Sequence, residues 1–134
     1  MNDSRICLDT SAYSAFMRGR EGPVRAVREA EEIVLTPVVL GELLASFRAG
    51  RREAENRHEL ERFRASPRVR FEQVDDGTAE RYAEILTHLR RAGTPIPTND
   101  IWIAASAMQR GLVVHTTDPH FDRVPQVLKV VHPV

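Results

Sequence analysis

The stretch RICLDTSAYSAFMRG, residues 5–19, contains the pattern from which the fold can be predicted. It opens with a short apolar run that ends in an acid, Asp9, and continues with two hydroxyl residues and a mostly apolar segment. A short apolar run of this kind indicates a buried strand. Thr10 and Ser11 are residue types that cap helices, and Gly19 is a residue type that ends them. The stretch therefore predicts a strand that leads directly into a helix.

The same alternation continues along the chain. The predicted strands are residues 5–9, 33–35, 69–74, 112–118 and 128–131, and the predicted helices are residues 12–18, 21–32, 37–49, 51–65, about 78–92 and 100–110. Asp76 or Thr78 is expected to cap the fifth helix, and Thr98 with Asn99 the sixth. Continuous apolar strands separated by helices are typical of a parallel sheet covered on both faces. We predict an α/β fold in which one domain, residues 1–134, has a mostly parallel sheet of four or five short strands flanked by helices.

Composition excludes several classes of protein. The chain has 134 residues, of which 42 % are hydrophobic and 28 % charged, as in soluble globular domains. No apolar run approaches the roughly 20 residues of a membrane span, and residues 1–4 lack the layout of a leader peptide. The single cysteine, Cys7, excludes an internal disulfide and a zinc finger. We therefore expect a cytoplasmic protein without a membrane partner.

The charge is balanced overall but unevenly distributed. The chain has 19 basic and 19 acidic residues, and Lys129 is the only lysine. The segment from Arg48 to Arg70 holds eight arginines and four glutamates. Arginine suits phosphate binding, but such a segment is also typical of a solvated helix face with internal ion pairs. Composition alone does not decide between phosphate binding and a solvated helix face.

Four carboxylates stand in apolar surroundings. Asp9 and Asp118 end predicted strands, Glu42 is the one charged residue between positions 36 and 47, and Asp100 begins an apolar helix. Each alone can be a cap, a turn residue or part of a polar stripe. Two acids at strand ends can meet, because sites in such sheets lie beyond the carboxyl ends of strands. Buried acids placed together repel one another, and a divalent cation with oxygen ligands, Mg²⁺ or Mn²⁺, would relieve that repulsion.

Other catalytic motifs are absent from the sequence. It contains no GxGxxG, GxxxxGK, HExxH or GxSxG pattern, which argues against nucleotide, zinc-protease and serine-hydrolase sites. The five histidines are scattered and were interpreted as structural or surface residues: His58, His88, His115, His120 and His132.

Four segments resemble, in order, the motifs of PIN domains: residues 6–11 with Asp9, 36–43 with Glu42, 97–105 with Asp100, and 112–121 with Asp118 followed by His-Phe. The order and the chain length are similar to those of VapC-like toxins of bacterial type II toxin–antitoxin systems. The resemblance extends from Ile6 to Val131. One departure is Thr117, where many relatives have Arg or Asn.

The resemblance implies a Mg²⁺-dependent endoribonuclease, with Mn²⁺ as a substitute ion, that cleaves RNA and is inhibited by a cognate antitoxin. It also implies a homodimer. Asp9, Glu42, Asp100 and Asp118 carry over as the acidic site. Asp9 and Asp100 are the preferred metal ligands, Asp118 holds the metal or its water, and Glu42 binds a second ion or accepts a proton. The side chains expected to orient these carboxylates are Thr10, Ser11, Asn99 and Thr117. A further carboxylate, Asp122, is expected to cap a helix.

The antitoxin is expected to lay an apolar helix face in a groove and to send a basic residue toward the acids. The groove residues are expected to be Leu44, Phe47, Leu60 and Phe63, although an apolar stripe of this kind also fits the core. Two rival functions remain open at this point. One is a metal-dependent phosphoester hydrolase acting on DNA or small phosphates, and the other is a non-catalytic module whose acids bind a basic peptide.

Overall fold

The computed structural model describes residues 4–134, so Met1, Asn2 and Asp3, which entered the expectation of no leader peptide, lie outside the described residues. The strands of the described chain are β1 (Arg5–Leu8), β2 (Glu32–Leu35), β3 (Val69–Phe71), β4 (Val113–Thr116) and β5 (Lys129–Val131). The helices are α1 (Thr10–Met17), α2 (Glu21–Glu29), α3 (Pro37–Ala49), α4 (Glu53–Arg64), α5 (Asp76–Ala92) and α6 (Thr98–Arg110), and a 3₁₀ helix spans Pro119–Arg123.

The strands form one parallel sheet in the order β3-β2-β1-β4-β5. The chain crosses outward from β1 to β2 and β3, and then returns across the sheet to β4 and β5. Because crossovers between parallel strands are right-handed, α1 to α4 lie on one face and α5 and α6 on the other. The winding direction therefore reverses between β1 and β4, and a crevice opens at the carboxyl ends of strands at such a point.

The burial of the strands explains their unbroken apolar sequence. Cys7 and Leu8 in β1, residues 33–35 in β2 and Val114 in β4 are fully buried, because helices cover both faces of the sheet. The edge strands β3 and β5 are partly exposed. The predicted α/β fold with a parallel sheet flanked by helices is confirmed. No helix within residues 4–134 is long and apolar enough to cross a membrane.

The predicted helix caps were wrong at three helices. Asp9 itself caps α1, in place of Thr10 and Ser11. Asp75 is the N-cap of α5 in place of Asp76, and Thr78 contributes to that cap because its Oγ1 accepts from the N–H of Asp75. Both caps have an extended backbone, and in both the carboxylate accepts from the N–H group three residues later. The cap position of α6 is Pro97 without a side-chain bond, so residues 98 and 99 lie inside its first turn. Their side chains are therefore free for other contacts.

Several element ends also differ from the prediction, among them the ends of β3, β4 and α2. Strand β3 ends at Phe71 rather than at residue 74, because its partner β2 ends at Leu35. Strand β4 ends at Thr116, and the chain then turns into the 3₁₀ helix that Asp118 caps. Helix α2 ends at Glu29, since Glu32 already pairs with Arg5 in the sheet.

Candidate active site

Asp9 and Asp118 meet at the reversal point of the sheet. Strand β1 ends one residue before Asp9, and β4 ends two residues before Asp118. The two strands are neighbours, and the N–H of Asp9 donates to the carbonyl of His115 at 3.2 Å. The expectation that two strand-ending acids lie at the same edge of the sheet therefore agrees with the topology.

Asp9 is a buried carboxylate held by three donors. Its Oδ1 accepts from the N–H of Ala12 at 2.8 Å and from Oγ of Ser11 at 2.7 Å, and its Oδ2 accepts from Oγ1 of Thr116 at 2.5 Å. The residue is 4 % exposed. Burial and then the charge of Asp118 raise the pKa of Asp9, while the three hydrogen bonds oppose that shift. Its orientation is thus fixed by both adjoining elements, α1 and β4.

Asp100, Asp118 and His120 form a compact group of potential metal ligands within the described residues. One potential ligand atom from each lies within 4.8 Å of those from the other two. Asp100 reaches the group from the first turn of α6. Burial raises the pKa of Asp100 to about 6, the charges of Asp118 and Asp9 add to this effect, and a hydrogen bond from His120 opposes it. Asp100 is therefore a partly desolvated carboxylate close to other negative charges.

Glu42 lies beside this group and is tied to it through two polar neighbours. Its Oε1 accepts from Oγ1 of Thr10 at 2.5 Å, and its Oε2 accepts from Nδ2 of Asn99 at 3.2 Å. Thr10 follows Asp9 in the chain, and Asn99 precedes Asp100. Glu42 is therefore linked to both acids through their neighbours, although it is not a member of the group within 4.8 Å.

Three of the four residues expected to orient the acids make such contacts. Ser11 bonds Asp9, and Thr10 and Asn99 bond Glu42. Thr117 takes part only through its backbone N–H, which donates to Oγ of Ser11 at 2.9 Å. Its side chain has no bonded partner among the described residues.

Sequence reasoning missed two residues of the site. Thr116 is the last residue of β4 and lies inside the predicted strand 112–118, which gives no sign that its hydroxyl bonds Asp9. His120 was interpreted as a structural or surface histidine. Its position two residues after Asp118, in a turn that an Asp can cap, was the available signal. The cap of that 3₁₀ helix is Asp118 rather than Asp122, which is exposed.

The arrangement fits a divalent cation. Asp100, Asp118 and His120 offer two oxygens and one nitrogen close together, and Asp9 adds negative charge that both aspartates experience. Partly desolvated carboxylates that repel one another are stabilised by a cation. The ligand atoms and the negative charge of this group therefore suit a bound divalent cation, which relieves the repulsion between the carboxylates.

Comparison with known proteins agrees with this architecture. The family described as PIN domain matches residues 6–127. The chain belongs to the PIN-domain family. It is 32 % identical over 128 residues to Ribonuclease VapC4 of Mycobacterium tuberculosis, and the alignment covers 95 % of this chain and 96 % of that protein.

Two solved structures show similar folds to this PIN domain. The DNA-bound VapBC of Salmonella typhimurium superposes with a TM-score of 0.82 at 25 % identity, covering 94 % of this chain and 96 % of that one. VapBC-5 of Mycobacterium tuberculosis, described as a member of the VapBC family of toxin–antitoxin systems, gives 0.75 at 26 % identity, covering 95 % and 98 %. The suspected VapC-like family is thereby confirmed.

The expected partner groove of this PIN domain needs one correction. Leu60 is only 3 % exposed and belongs to the core, because its side chain packs inward from α4. Leu44, Phe47 and Phe63 are half-buried. Phe47 also lines a cleft of about 220 Å³ to which α1, α3 and α4 contribute. The other residues lining this cleft are Tyr13, Ser14, Met17, Arg18, Ser46, Asn56 and Glu59.

Several arginines of the arginine-rich segment are engaged in contacts within the protein. Within α4 and at its start, Arg52 pairs with Glu55 and Arg57 with Glu53, at 2.6 Å and 3.1 Å. Arg68 instead donates to the carbonyls that end α2. These contacts agree with the interpretation of the segment as a solvated helix face with internal ion pairs. They give no separate argument for nucleic-acid binding.

Proposed function

We propose that this chain is a VapC-type toxin, a divalent-metal-dependent endoribonuclease kept inactive by a cognate antitoxin. The observation that carries the proposal is that Asp9, Asp100 and Asp118 lie close together at the reversal point of a PIN-domain sheet. The charge of Asp118 raises the pKa of Asp9, and the charges of Asp118 and Asp9 raise the pKa of Asp100. The similarity to a protein named Ribonuclease VapC4 supports RNA as the substrate.

The proposed mechanism assigns a distinct task to each acid. Asp9, Asp100 and Asp118 would hold Mg²⁺, or Mn²⁺ in its place. When bound, the cation stabilises negative charge on the phosphate and makes water more acidic. Ser11 and Thr116 keep the Asp9 carboxylate in one orientation, since both hydroxyls donate to it.

Glu42 accepts the proton of the attacking water at a carboxylate oxygen, and Thr10 and Asn99 position Glu42 for that task.

The first test is Asp9→Asn, which keeps the shape and removes one negative charge. RNA cleavage at fixed Mg²⁺ should fall at least about a hundredfold, which is the scale of a single catalytic group. Expression of the unaltered protein should arrest growth, whereas expression of the variant should not. The matched control is Asp122→Asn, the same change at an exposed carboxylate of the adjoining 3₁₀ helix.

A substrate panel separates the proposal from its rivals. RNA, single-stranded and duplex DNA and small phosphate esters are compared at one Mg²⁺ concentration. Cleavage confined to DNA or small esters contradicts the ribonuclease assignment. Metal binding without turnover of any substrate favours a binding module.

We further propose that the antitoxin occupies the cleft between α1, α3 and α4 and presents a basic residue to the acids. VapBC-5, a structural relative, is described as a toxin–antitoxin system. Tyr13 supports the choice of this cleft. Its hydroxyl is buried in the wall of the cleft and has no hydrogen-bond partner within residues 4–134, so a bound segment that opens the cleft can supply one. The expected homodimer stays a prediction, which a solution mass measurement tests.

The partner surface is tested with two residues of equal exposure. Met17 lines the cleft and is 38 % exposed, whereas Val74 lies elsewhere and is 37 % exposed. Met17→Glu should weaken binding of the protein encoded beside this gene by at least about tenfold, since a charge buried in an interface is costly. Val74→Glu should leave binding within about twofold. Equal effects of the two changes would place the partner on another surface.

The proposed basic residue of the antitoxin leads to a competition test. A partner cation at the acids should compete with Mg²⁺, so rising Mg²⁺ should weaken the complex. A complex that binds Mg²⁺ at full strength would show that inhibition works by steric blockage.

A further inference from the structure

His120 lies between two of the acids and has no role in the function proposed above. Its Nδ1 is 3.1 Å from Oδ2 of Asp118 and 3.4 Å from Oδ2 of Asp100. Its side chain is 38 % exposed, so the ring borders the site from the solvent side. The Nδ1 atom of His120 thus faces both carboxylates.

The backbone holds the imidazole in this position. The N–H of His120 donates to Oδ1 of Asp118 at 2.9 Å, which leaves Oδ2 of that carboxylate facing the ring. On one side Pro119 fixes a backbone angle, and on the other Phe121 is fully buried in the core. The ring position is therefore set by the 3₁₀ helix and not by the side chain alone.

The spacing of the three ligating atoms matches the coordination shell of a small divalent cation. Oxygen and nitrogen ligands lie about 2.0–2.2 Å from such ions, so adjacent ligands at right angles are about 3 Å apart. The observed separations of 3.1 Å and 3.4 Å are close to that value. A site of carboxylate oxygens alone suits Mg²⁺, whereas imidazole nitrogen is a ligand of transition metals.

We propose that His120 supplies Nδ1 as a nitrogen ligand to the cation site and thereby makes the site prefer a transition-metal cation, such as Mn²⁺, over Mg²⁺. The inference deepens the proposed function, because it assumes the same metal site and specifies the kind of ion. Asp100 and Asp118 provide the charge that attracts any divalent cation, and His120 provides the discrimination between cations.

The test uses Mn²⁺ as a spectroscopic probe in the purified protein without RNA. Pulsed electron paramagnetic resonance of the Mn²⁺-loaded protein should show coupling to a ¹⁴N nucleus. His120→Ala should abolish that coupling and weaken Mn²⁺ binding by at least about tenfold, the lower end of the loss seen when groups supporting a metal are removed. Mg²⁺ binding, measured by competition, should change by less than about threefold. The matched control is His88→Ala, a partly exposed histidine of α5, which should retain the coupling and both affinities.

The possible outcomes separate this inference from the ribonuclease proposal. Mn²⁺ binding without ¹⁴N coupling, or an equal loss of Mn²⁺ and Mg²⁺ affinity in His120→Ala, overturns the ligand role while metal-dependent RNA cleavage can persist. Coupling that disappears in His120→Ala supports the ligand role, even in a protein that cleaves no RNA. A melting curve of His120→Ala in the absence of metal verifies that the variant is folded.

Discussion

Thr116 connects the two strand-ending acids through one hydroxyl. Its Oγ1 donates to Oδ2 of Asp9 at 2.5 Å and accepts from the N–H of Asp118 at 2.9 Å. A hydroxyl has one proton to donate and two lone pairs to accept with, so it can make both bonds at once. The donated bond favours the ionised form of Asp9, against the raising effect of burial on its pKa. Thr116 is thus a positioning residue.

Thr116→Val keeps the shape of the side chain and removes both bonds. RNA cleavage should fall about tenfold or more, as for other residues that orient metal ligands. The pKa of Asp9 should rise, so the acid limb of the pH–rate profile should move to higher pH. Thr117→Val is the matched control, because that side chain has no bonded partner among residues 4–134, and its profile should not move. An unchanged acid limb in Thr116→Val would reduce Thr116 to a structural residue.

At the scale of elements, one residue both ends β1 and starts α1. Asp9 has φ −81° and ψ 177°, which continues the strand, while its carboxylate caps the helix by accepting from the N–H of Ala12. Because α1 begins at the edge of the sheet, this capping bond fixes the direction of the carboxylate. The same side chain therefore contributes to folding as well as to the proposed catalysis.

Two substitutions at Asp9 separate these contributions. Asn caps a helix about as well as Asp, whereas Ala does not. Asp9→Ala should therefore be less stable than Asp9→Asn by about 1 kcal/mol in urea unfolding without metal. Both variants should lose RNA cleavage to a similar extent. Equal stability of the two variants would show that the cap contributes nothing to the free energy of unfolding.

At the scale of the whole molecule, the acids make the folded state bind more protons than the unfolded state. Burial first, and then the charges of Asp118 and Asp9, raise the pKa of Asp100 from 3.8 to about 6. A group whose pKa is raised by folding stabilises the protein fully below its unfolded pKa. That contribution is lost as the pH rises from 3.8 to about 6. At neutral pH the metal-free protein therefore carries the cost of an ionised, desolvated Asp100.

Asp100→Asn removes that cost. The metal-free variant should be more stable than the unaltered protein by about 2 kcal/mol at pH 7, with a flatter dependence on pH. Mg²⁺ at a hundred times its dissociation constant should stabilise the unaltered protein by about 2.7 kcal/mol and the variant by much less. Thermal and urea unfolding at several pH values provide the measurement, with Asp122→Asn as the control.

A contrary result has a definite meaning for the acidic site. If Asp100→Asn unfolds more readily without metal and still gains the full increment from Mg²⁺, the acids do not act as one cation site. The ribonuclease proposal would then need other metal ligands.

The sequence by itself determined the order of strands and helices and the four acids. Apolar runs such as residues 33–35 favour buried strands, and Gly93 and Gly111, with φ of +69° and +66°, end α5 and α6 because glycine adopts a positive φ without strain. The charge of Glu42 within an apolar segment was visible in the same way. These features are readable because each depends on residues a few positions apart.

Only the tertiary structure decided which residues meet across the sheet. The bond from Thr116 to Asp9 spans 107 positions, and the approach of His120 to Asp100 joins the 3₁₀ helix to α6. The burial of Leu60 was also decided only by the tertiary structure, because an apolar residue on a charged helix can face either a partner or the core. Local periodicity carries no information on such contacts, which depend on how strands pair and on the side of the sheet to which each crossover returns.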